Sequence, residues 1–128
     1  GGRCNVTHSC FEPKLLSQHY PRGEKSLIGP FNRFQAADTV EWFESRGVEL
    51  KTEADGRMFP TTDNSLTIID TLMKAAGEAE VEIRTSEGVD EITPKGNHFI
   101  VTTDLGNDLS ASHGLLATGG TRLAAGAR

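Results

Sequence analysis

The sequence has few cysteines, few aromatic residues and no excess of basic charge, and each shortage argues against a class of protein. Its 2 cysteines are fewer than the disulfide framework of a small secreted domain requires. Against 18 acidic residues stand 13 lysines and arginines, which gives a net charge of −5. Binding to nucleic-acid phosphates requires clustered basic residues, whereas here they are scattered, so we expect no nucleic-acid partner.

Long apolar stretches are missing as well. No run in the sequence approaches the length that a helix needs to span a bilayer. The first residues also lack the charged and then apolar pattern of an export leader. We therefore expect a cytoplasmic protein with no membrane partner.

The two cysteines lie close to two histidines. Cys4, His8, Cys10 and His19 can be drawn as a four-ligand zinc set. Their spacing matches none of the common zinc patterns, in which pairs of ligands sit on tight turns at defined intervals. We expect reduced thiols and no metal.

What the sequence does contain is the spacing of helices, a strand pair, a helix and then strands, in that order over 128 residues, which we interpret as a single partial domain. Helices are predicted at 12–20, 25–34, 36–46 and 65–77, the last with an apolar stripe of Leu66, Ile69, Leu72, Met73 and Ala76. Strands are predicted at 48–52, 57–60, 81–85, near 89–92, at 97–103 and at 109–118. The last strand loses its alternation, which indicates burial on both faces. The fold class is mixed α/β.

Glycine-rich motifs stand at both ends of the sequence. Gly1, Gly2, Arg3, Cys4 and Asn5 form a turn that could hold a phosphate through bare backbone N–H groups, with added charge from the arginine. A frayed, exposed glycine turn is the plainer interpretation. Near the other end, residues 115–120 are typical of a strand that runs into a glycine turn. Because both motifs need flanking segments to deliver them to a ligand, we expect the interior of a larger enzyme.

Arg57 lies between a glycine turn and an apolar pair, in the segment Gly-Arg-Met-Phe-Pro at 56–60. In this position it could face an anionic substrate, or lie on the surface with its stem packed, which is commoner. His98 and His113 lie within predicted strands and are interpreted as structural. No Ser/His/Asp or Cys/His set can be placed by spacing.

Taken together, these segments resemble a family of bacterial FAD-dependent, NAD(P)H-linked flavoproteins of the aminoacetone oxidase-like type, which also includes reductases of bile-acid dehydroxylation. The resemblance is carried by Gly-Gly-Arg-Cys-Asn-Val-Thr at 1–7, Gly-Val-Glu-Leu at 47–50, Gly-Arg-Met-Phe-Pro at 56–60, Asp63 with the helix after it, and Ala-Thr-Gly-Gly at 117–120. Order and spacing agree over nearly the whole sequence. The first and third motifs are fairly specific in combination.

The resemblance implies a flavoprotein fold of the two-dinucleotide-binding type. Its Gly-x-Gly-x-x-Gly turn, which holds the FAD pyrophosphate at a helix N-terminus, would lie upstream of Gly1. The predicted strands from about 81 to 118 would return to the cofactor, and a further portion would follow residue 128. Residues 1–128 alone would then be inactive.

The resemblance also implies roles for particular residues. Gly1, Gly2, Arg3, Cys4 and Asn5 would line the cofactor, and the backbone of Val89 would contact its adenine end. Thr118, Gly119 and Gly120 would close over it. Arg57 would lie near the flavin or the substrate and is the candidate catalytic residue. The implied reaction carries a hydride from NAD(P)H through FAD to a small organic substrate.

Two departures from the family pattern are visible. His8 stands where the family has a small polar residue, and the loop at 121–123 differs after the Gly-Gly pair. The second departure leaves the substrate side undefined. An alternative from another class is a free-standing α/β binding module with no redox role.

Overall fold

The computed structural model of the chain describes residues 2–118, which form two compact units with the division between residues 82 and 83. The first unit contains β1 (Thr7–His8), α1 (Pro13–Gln18), α2 (Glu24–Phe31), α3 (Ala36–Glu44), β2 (Leu50–Thr52), β3 (Arg57–Pro60) and α4 (Ser65–Glu78). The second contains β4 (Val89–Lys95), β5 (His98–Thr103) and β6 (Asp108–Ala111). The predicted mixed α/β class is confirmed. Between residues 2 and 118, no helix is both long and apolar enough to cross a membrane.

The sheet of the first unit has the strand order β1-β3-β2, and both pairings are antiparallel. Thr7 lies opposite Met58, while Lys51 lies opposite Phe59 on the other side of β3. The predicted 57–60 segment is therefore the central strand, with β1 next to it on one side and β2 on the other. This pairing determines where the candidate site forms.

The core of the first unit lies where α3, α4 and the sheet meet. Phe43, Val48 and Ile68 are buried against one another, with Trp42 packed at the edge. Helix α3 begins where the Gln35 N–H donates to Asp38 Oδ2 at 2.7 Å. It is followed at residue 47 by a glycine in the left-handed region, which satisfies the last turn. The helix predicted at 36–46 is confirmed apart from its last two residues.

Helix α4 begins at the predicted cap but turns a different side to the core. The Asn64 side chain accepts a hydrogen bond from the Leu66 N–H at 3.0 Å. Ile68 is the buried residue, with 5% of its surface exposed. It is the residue that packs against Phe43 and Val48. The predicted stripe did not identify this face, because its large members are each about half exposed: Leu66, Ile69, Leu72 and Met73.

The second unit is an antiparallel sheet in the order β4-β5-β6. The predicted strands at 89–92 and 97–103 are confirmed, and the turn at 104–107 joins β5 to β6. The strand predicted at 81–85 is wrong, because these residues belong to neither of the two sheets that residues 2–118 form. An alternating apolar pattern cannot form a strand without a neighbour to bond its backbone.

The strand predicted at 109–118 ends at Ala111. Ala111 lies opposite Phe99, and β5 begins one residue before that, so β6 runs out of partner backbone. Leu115 and Leu116 are 90% and 76% exposed, so the predicted burial on both faces is wrong for this stretch. The lost alternation did not indicate burial here.

A network around Glu87 holds the segment before β4 to the β5–β6 turn. Its carboxylate accepts hydrogen bonds from Asn107 Nδ2 and Thr103 Oγ1, both at 2.8 Å, and faces Arg84 at 3.7 Å. The hydrogen bond from Asn107, followed by that from Thr103, holds the pKa of Glu87 below its ordinary value of 4.5. A lowered folded pKa means that the stabilisation is complete above pH 4.5 and is lost as the pH falls through the folded value.

We therefore expect this network to loosen in acid. Between about pH 5 and pH 3, amide protection factors at Asp104 and Asn107 should fall more steeply in the wild type than in Glu87→Gln, which cannot titrate. Hydrogen exchange followed by NMR measures both amides. The same pH dependence in the two proteins would contradict a role for the Glu87 carboxylate.

Candidate functional site

The structure brings together two of the motifs that the sequence singled out. The Val6 N–H donates to the Met58 carbonyl at 2.9 Å, and the Ser9 N–H donates to the Gly56 carbonyl at 2.8 Å. The Ser65 N–H, in the first turn of α4, donates to the Gly2 carbonyl at 3.0 Å. Residues 2–5 are therefore fixed between β3 and the start of α4. We call residues 2–5 and 57–60, with the charged side chains around them, the motif site.

Arg3 lies at the centre of the motif site and is held by two carboxylates. Its guanidinium forms hydrogen bonds with both carboxylate oxygens of Glu53 and lies 3.5 Å from Asp63 Oδ1. Its Cζ lies 4.3 Å from the centre of the buried Phe59 ring, which adds a cation–π contact. The hydrogen bond to Glu53 is the main reason that the pKa of Arg3 is raised above its ordinary value.

Arg57 approaches the same phenylalanine from β3. Its Nε donates to Asp55 Oδ2 at 2.7 Å, its NH2 group lies 3.7 Å from Glu53 Oε2, and its Cζ lies 5.4 Å from the Phe59 ring. The backbone hydrogen bond from Arg57, and then that from its side chain, lower the pKa of Asp55. The side chain is about half exposed, so Arg57 reaches solvent with its charge already paired.

The charges of the motif site balance. Lys51 pairs with Asp63, and this hydrogen bond is the main reason that the pKa of Asp63 is lowered. The site then holds three cations and three carboxylates: Arg3, Lys51 and Arg57 with Glu53, Asp55 and Asp63. A ligand would therefore meet a nearly neutral surface rather than a free cation.

Backbone donors remain available at this surface. Within residues 2–118, the N–H groups of Arg3, Cys4 and Asn5 donate no hydrogen bond. The amino-terminal amides of α4 are different, because the Gly2 carbonyl and the Asn64 side chain already accept from them. Residues 3–5 thus fit the polar, uncharged part of a cofactor better than its phosphates, which attract free cations and open helix N-termini.

The side chains of residues 4 and 5 face the protein. Cys4 packs against the core cluster, and both cysteines are free thiols. In the orientation that satisfies its neighbours, the Asn5 amide nitrogen donates to the Thr7 carbonyl at 2.9 Å and the Met58 carbonyl at 3.2 Å. These contacts stabilise the segment from behind. Among residues 2–118, no three ligand-type side chains are arranged to hold a metal ion.

A cleft of about 360 Å³ borders the motif site at Asn5. One wall is aromatic, with the rings of Tyr20 and Phe31 5.6 Å apart and Phe34 beside them. His8 also lines the cleft, and its Nε2 donates a hydrogen bond to the Asp55 carbonyl at 3.1 Å. Since a carbonyl oxygen only accepts, Nε2 carries the proton in this contact.

The remaining sequence-predicted residues lie elsewhere. Val89 opens β4 in the second unit, where it is exposed and lies opposite Thr103. Thr118 is the last residue that the structure describes. Gly1, Gly119 and Gly120 lie outside the described residues. The structure thus joins residues 2–5 with Arg57 in one site and describes Val89 and Thr118 in the other unit.

Sequence reasoning missed two of the three carboxylates that organise the motif site, Glu53 and Asp55. Glu53, Asp55 and Arg57 stand at every second position through the β2–β3 turn. This spacing of opposite charges is a local signal for an ion-paired hairpin. Asp63 was among the residues that carry the resemblance, but nothing local predicted its contact with Arg3, which spans 60 residues. The ring of Phe59 as a common base for two arginines was also unpredicted.

Comparisons with known proteins identify relatives over nearly the whole chain. The model of the HI0933-like protein Rossmann domain matches residues 1–127. A 3-dehydro-bile acid delta(4,6)-reductase of Clostridium scindens is 24% identical over 119 residues, or 93% of this chain. The chain spans 28% of the length of that reductase.

Both findings point to a family of FAD-binding oxidoreductases. The family model covers the two described units and the motif site within the first. The chain belongs to the HI0933-like Rossmann domain family.

Proposed function

We propose that the protein is an FAD-dependent oxidoreductase that carries a hydride from NAD(P)H through the flavin to a small organic substrate. The observation that supports this most directly is the motif site, where residues 3–5 present unused backbone donors on a charge-balanced surface. Family membership and a relative named as a reductase agree with it. When bound, FAD supplies the two-electron chemistry that no side chain of this site can perform.

In this proposal the protein binds the cofactor and orients it. The N–H groups of Arg3, Cys4 and Asn5 donate to polar acceptors of the cofactor, and Gly2 leaves room for its approach, since nothing lies within 4 Å of where its Cβ would be. Gly1, Val89, Thr118, Gly119 and Gly120 are proposed as further cofactor contacts. Their contacts would complete the cofactor site beyond residues 2–5.

Arg57 is proposed as the residue nearest the reacting groups. Its pairing with Asp55 fixes the guanidinium, and its half-exposed position leaves one side open to a substrate. The cleft beside Asn5 offers an aromatic wall for a small, flat organic substrate. A cleft of this size and lining is within the range of ligand sites.

The test is cofactor uptake by the protein expressed from its complete open reading frame. We expect it to purify with visible flavin absorbance, and we expect anaerobic addition of NADH or NADPH to bleach that absorbance. The two nucleotides are compared in separate samples to identify the donor. A colourless protein that takes up no added FAD would contradict the proposal and favour the α/β binding module.

A further inference from the structure

Glu53 stands between the two motifs and contacts an arginine from each. Both of its carboxylate oxygens meet the guanidinium of Arg3, and Oε2 lies 3.7 Å from the NH2 group of Arg57. We infer that Glu53 is the positioning residue of the motif site, holding Arg3 so that the backbone amides of residues 3–5 face the cofactor. This inference rests on the proposed function and concerns how that same site is organised.

The backbone of Glu53 is itself fixed. Its N–H donates to the Arg57 carbonyl at 2.9 Å, and its carbonyl accepts from the Gly56 N–H at 2.9 Å. These two bonds close the turn between β2 and β3. The closed turn places the Glu53 carboxylate and Arg57 on one hairpin, and Arg3 reaches the carboxylate from the amino-terminal segment.

Glu53 is also the most shielded member of the charged set. Its side chain is 27% exposed, whereas those of Arg3 and Arg57 are 41% and 48% exposed. Shielding from water and salt strengthens an ion pair, and a two-point contact between guanidinium and carboxylate adds a fixed orientation. The pair with Arg3 therefore constrains direction as well as distance.

The neighbouring carboxylates have other partners. Asp63 is held by Lys51 and lies 3.5 Å from Arg3, while Asp55 pairs with Arg57. Among the carboxylates within residues 2–118, Glu53 alone pairs with both arginines. Removing its charge would loosen Arg3 from the sheet while the other ion pairs stay in place.

The first test measures the segment without any cofactor. In hydrogen–deuterium exchange of the apoprotein, expressed from its complete open reading frame, Glu53→Gln should speed exchange of the Val6 and Ser65 amides, whose hydrogen bonds to the Met58 and Gly2 carbonyls hold residues 2–5 in place. Glu78→Gln is the matched control, since it makes the same charge change in an exposed pair with Lys74 at 3.8 Å. Unchanged exchange of these two amides in Glu53→Gln would overturn the inference, whether or not FAD binds.

The second test measures cofactor affinity in the same proteins. Glu53→Gln should weaken FAD binding about tenfold, the loss expected from one charge-assisted hydrogen bond, with Glu78→Gln unaffected. The visible spectrum of bound flavin should shift in Glu53→Gln, and Glu53→Asp should restore part of the affinity. Equal FAD affinity in wild type and Glu53→Gln, or a loss matched by a fall in the melting temperature of the apoprotein, would overturn it. If the wild type binds no FAD, the proposed function fails, and the exchange measurement still decides whether Glu53 orders residues 2–6.

Discussion

The Gly56→Ala variant is expected to lose about 2–4 kcal/mol of folding stability. Gly56 has φ +84°, a conformation that costs an L-residue energy, and an added Cβ would lie 2.5 Å from Cε1 and Nε2 of His8. The ring must then move, which breaks its contact with the Asp55 carbonyl and disturbs β1 against β3. Urea unfolding of the 128-residue chain, followed by the fluorescence of its single tryptophan, Trp42, measures the loss.

Gly47→Ala separates the two causes. Gly47 has nearly the same φ, +80°, but nothing lies within 4 Å of its Cβ position. We expect this control to lose only the conformational part, about 1–2 kcal/mol. Equal losses in the two variants would show that the His8 ring adapts freely and would contradict the steric argument.

Phe59→Ala is expected to lose about 3–5 kcal/mol, the usual cost of emptying a buried phenylalanine site. Phe59 is 3% exposed, lies opposite Lys51 in the sheet, and carries the guanidinium groups of Arg3 and Arg57 on its ring. The variant should therefore lose both packing and the common base of the two arginines. Urea unfolding gives the first effect and FAD affinity gives the second.

Phe59→Leu distinguishes these effects. Leucine fills most of the space but has no π face, so we expect a smaller stability loss of about 1–2 kcal/mol together with weakened FAD binding. If Phe59→Leu binds FAD as the wild type does, the ring serves packing alone. That result would remove the cation–π contact from the account of the site.

The elements that the sequence predicted well are those whose signals are local. Helix α3 has a cap, an apolar face and a stop glycine within a dozen residues, and strand 57–60 follows directly on a glycine turn. The failures at 81–85 and 109–118 have a different origin. A strand exists only as part of a sheet, and neither residues 112–118 nor residues 81–85 belong to the two sheets that residues 2–118 form.

In the candidate site, too, the residues with local signals were predicted and the long-range contacts were not. Arg3 and Arg57 were singled out because they lie in compact glycine motifs. Their meeting over Phe59 was not predictable from spacing, since the contact between Arg3 and Glu53 joins residues 50 apart. Long-range ion pairs leave no periodic pattern in a sequence. The charges of Glu53, Asp55 and Arg57 at every second position do form such a pattern, and they are the part of the site that the sequence could have predicted.

The register between β1 and β3 also has a kinetic consequence. The β2–β3 hairpin closes a short turn, but Thr7 must find Met58 across about 50 residues, and closing a loop of that length costs more chain entropy. We therefore expect the hairpin to form first and the amino-terminal segment to dock onto it afterwards. On this expectation the motif site assembles late in folding, and the segment that carries its backbone donors detaches first when the unit opens.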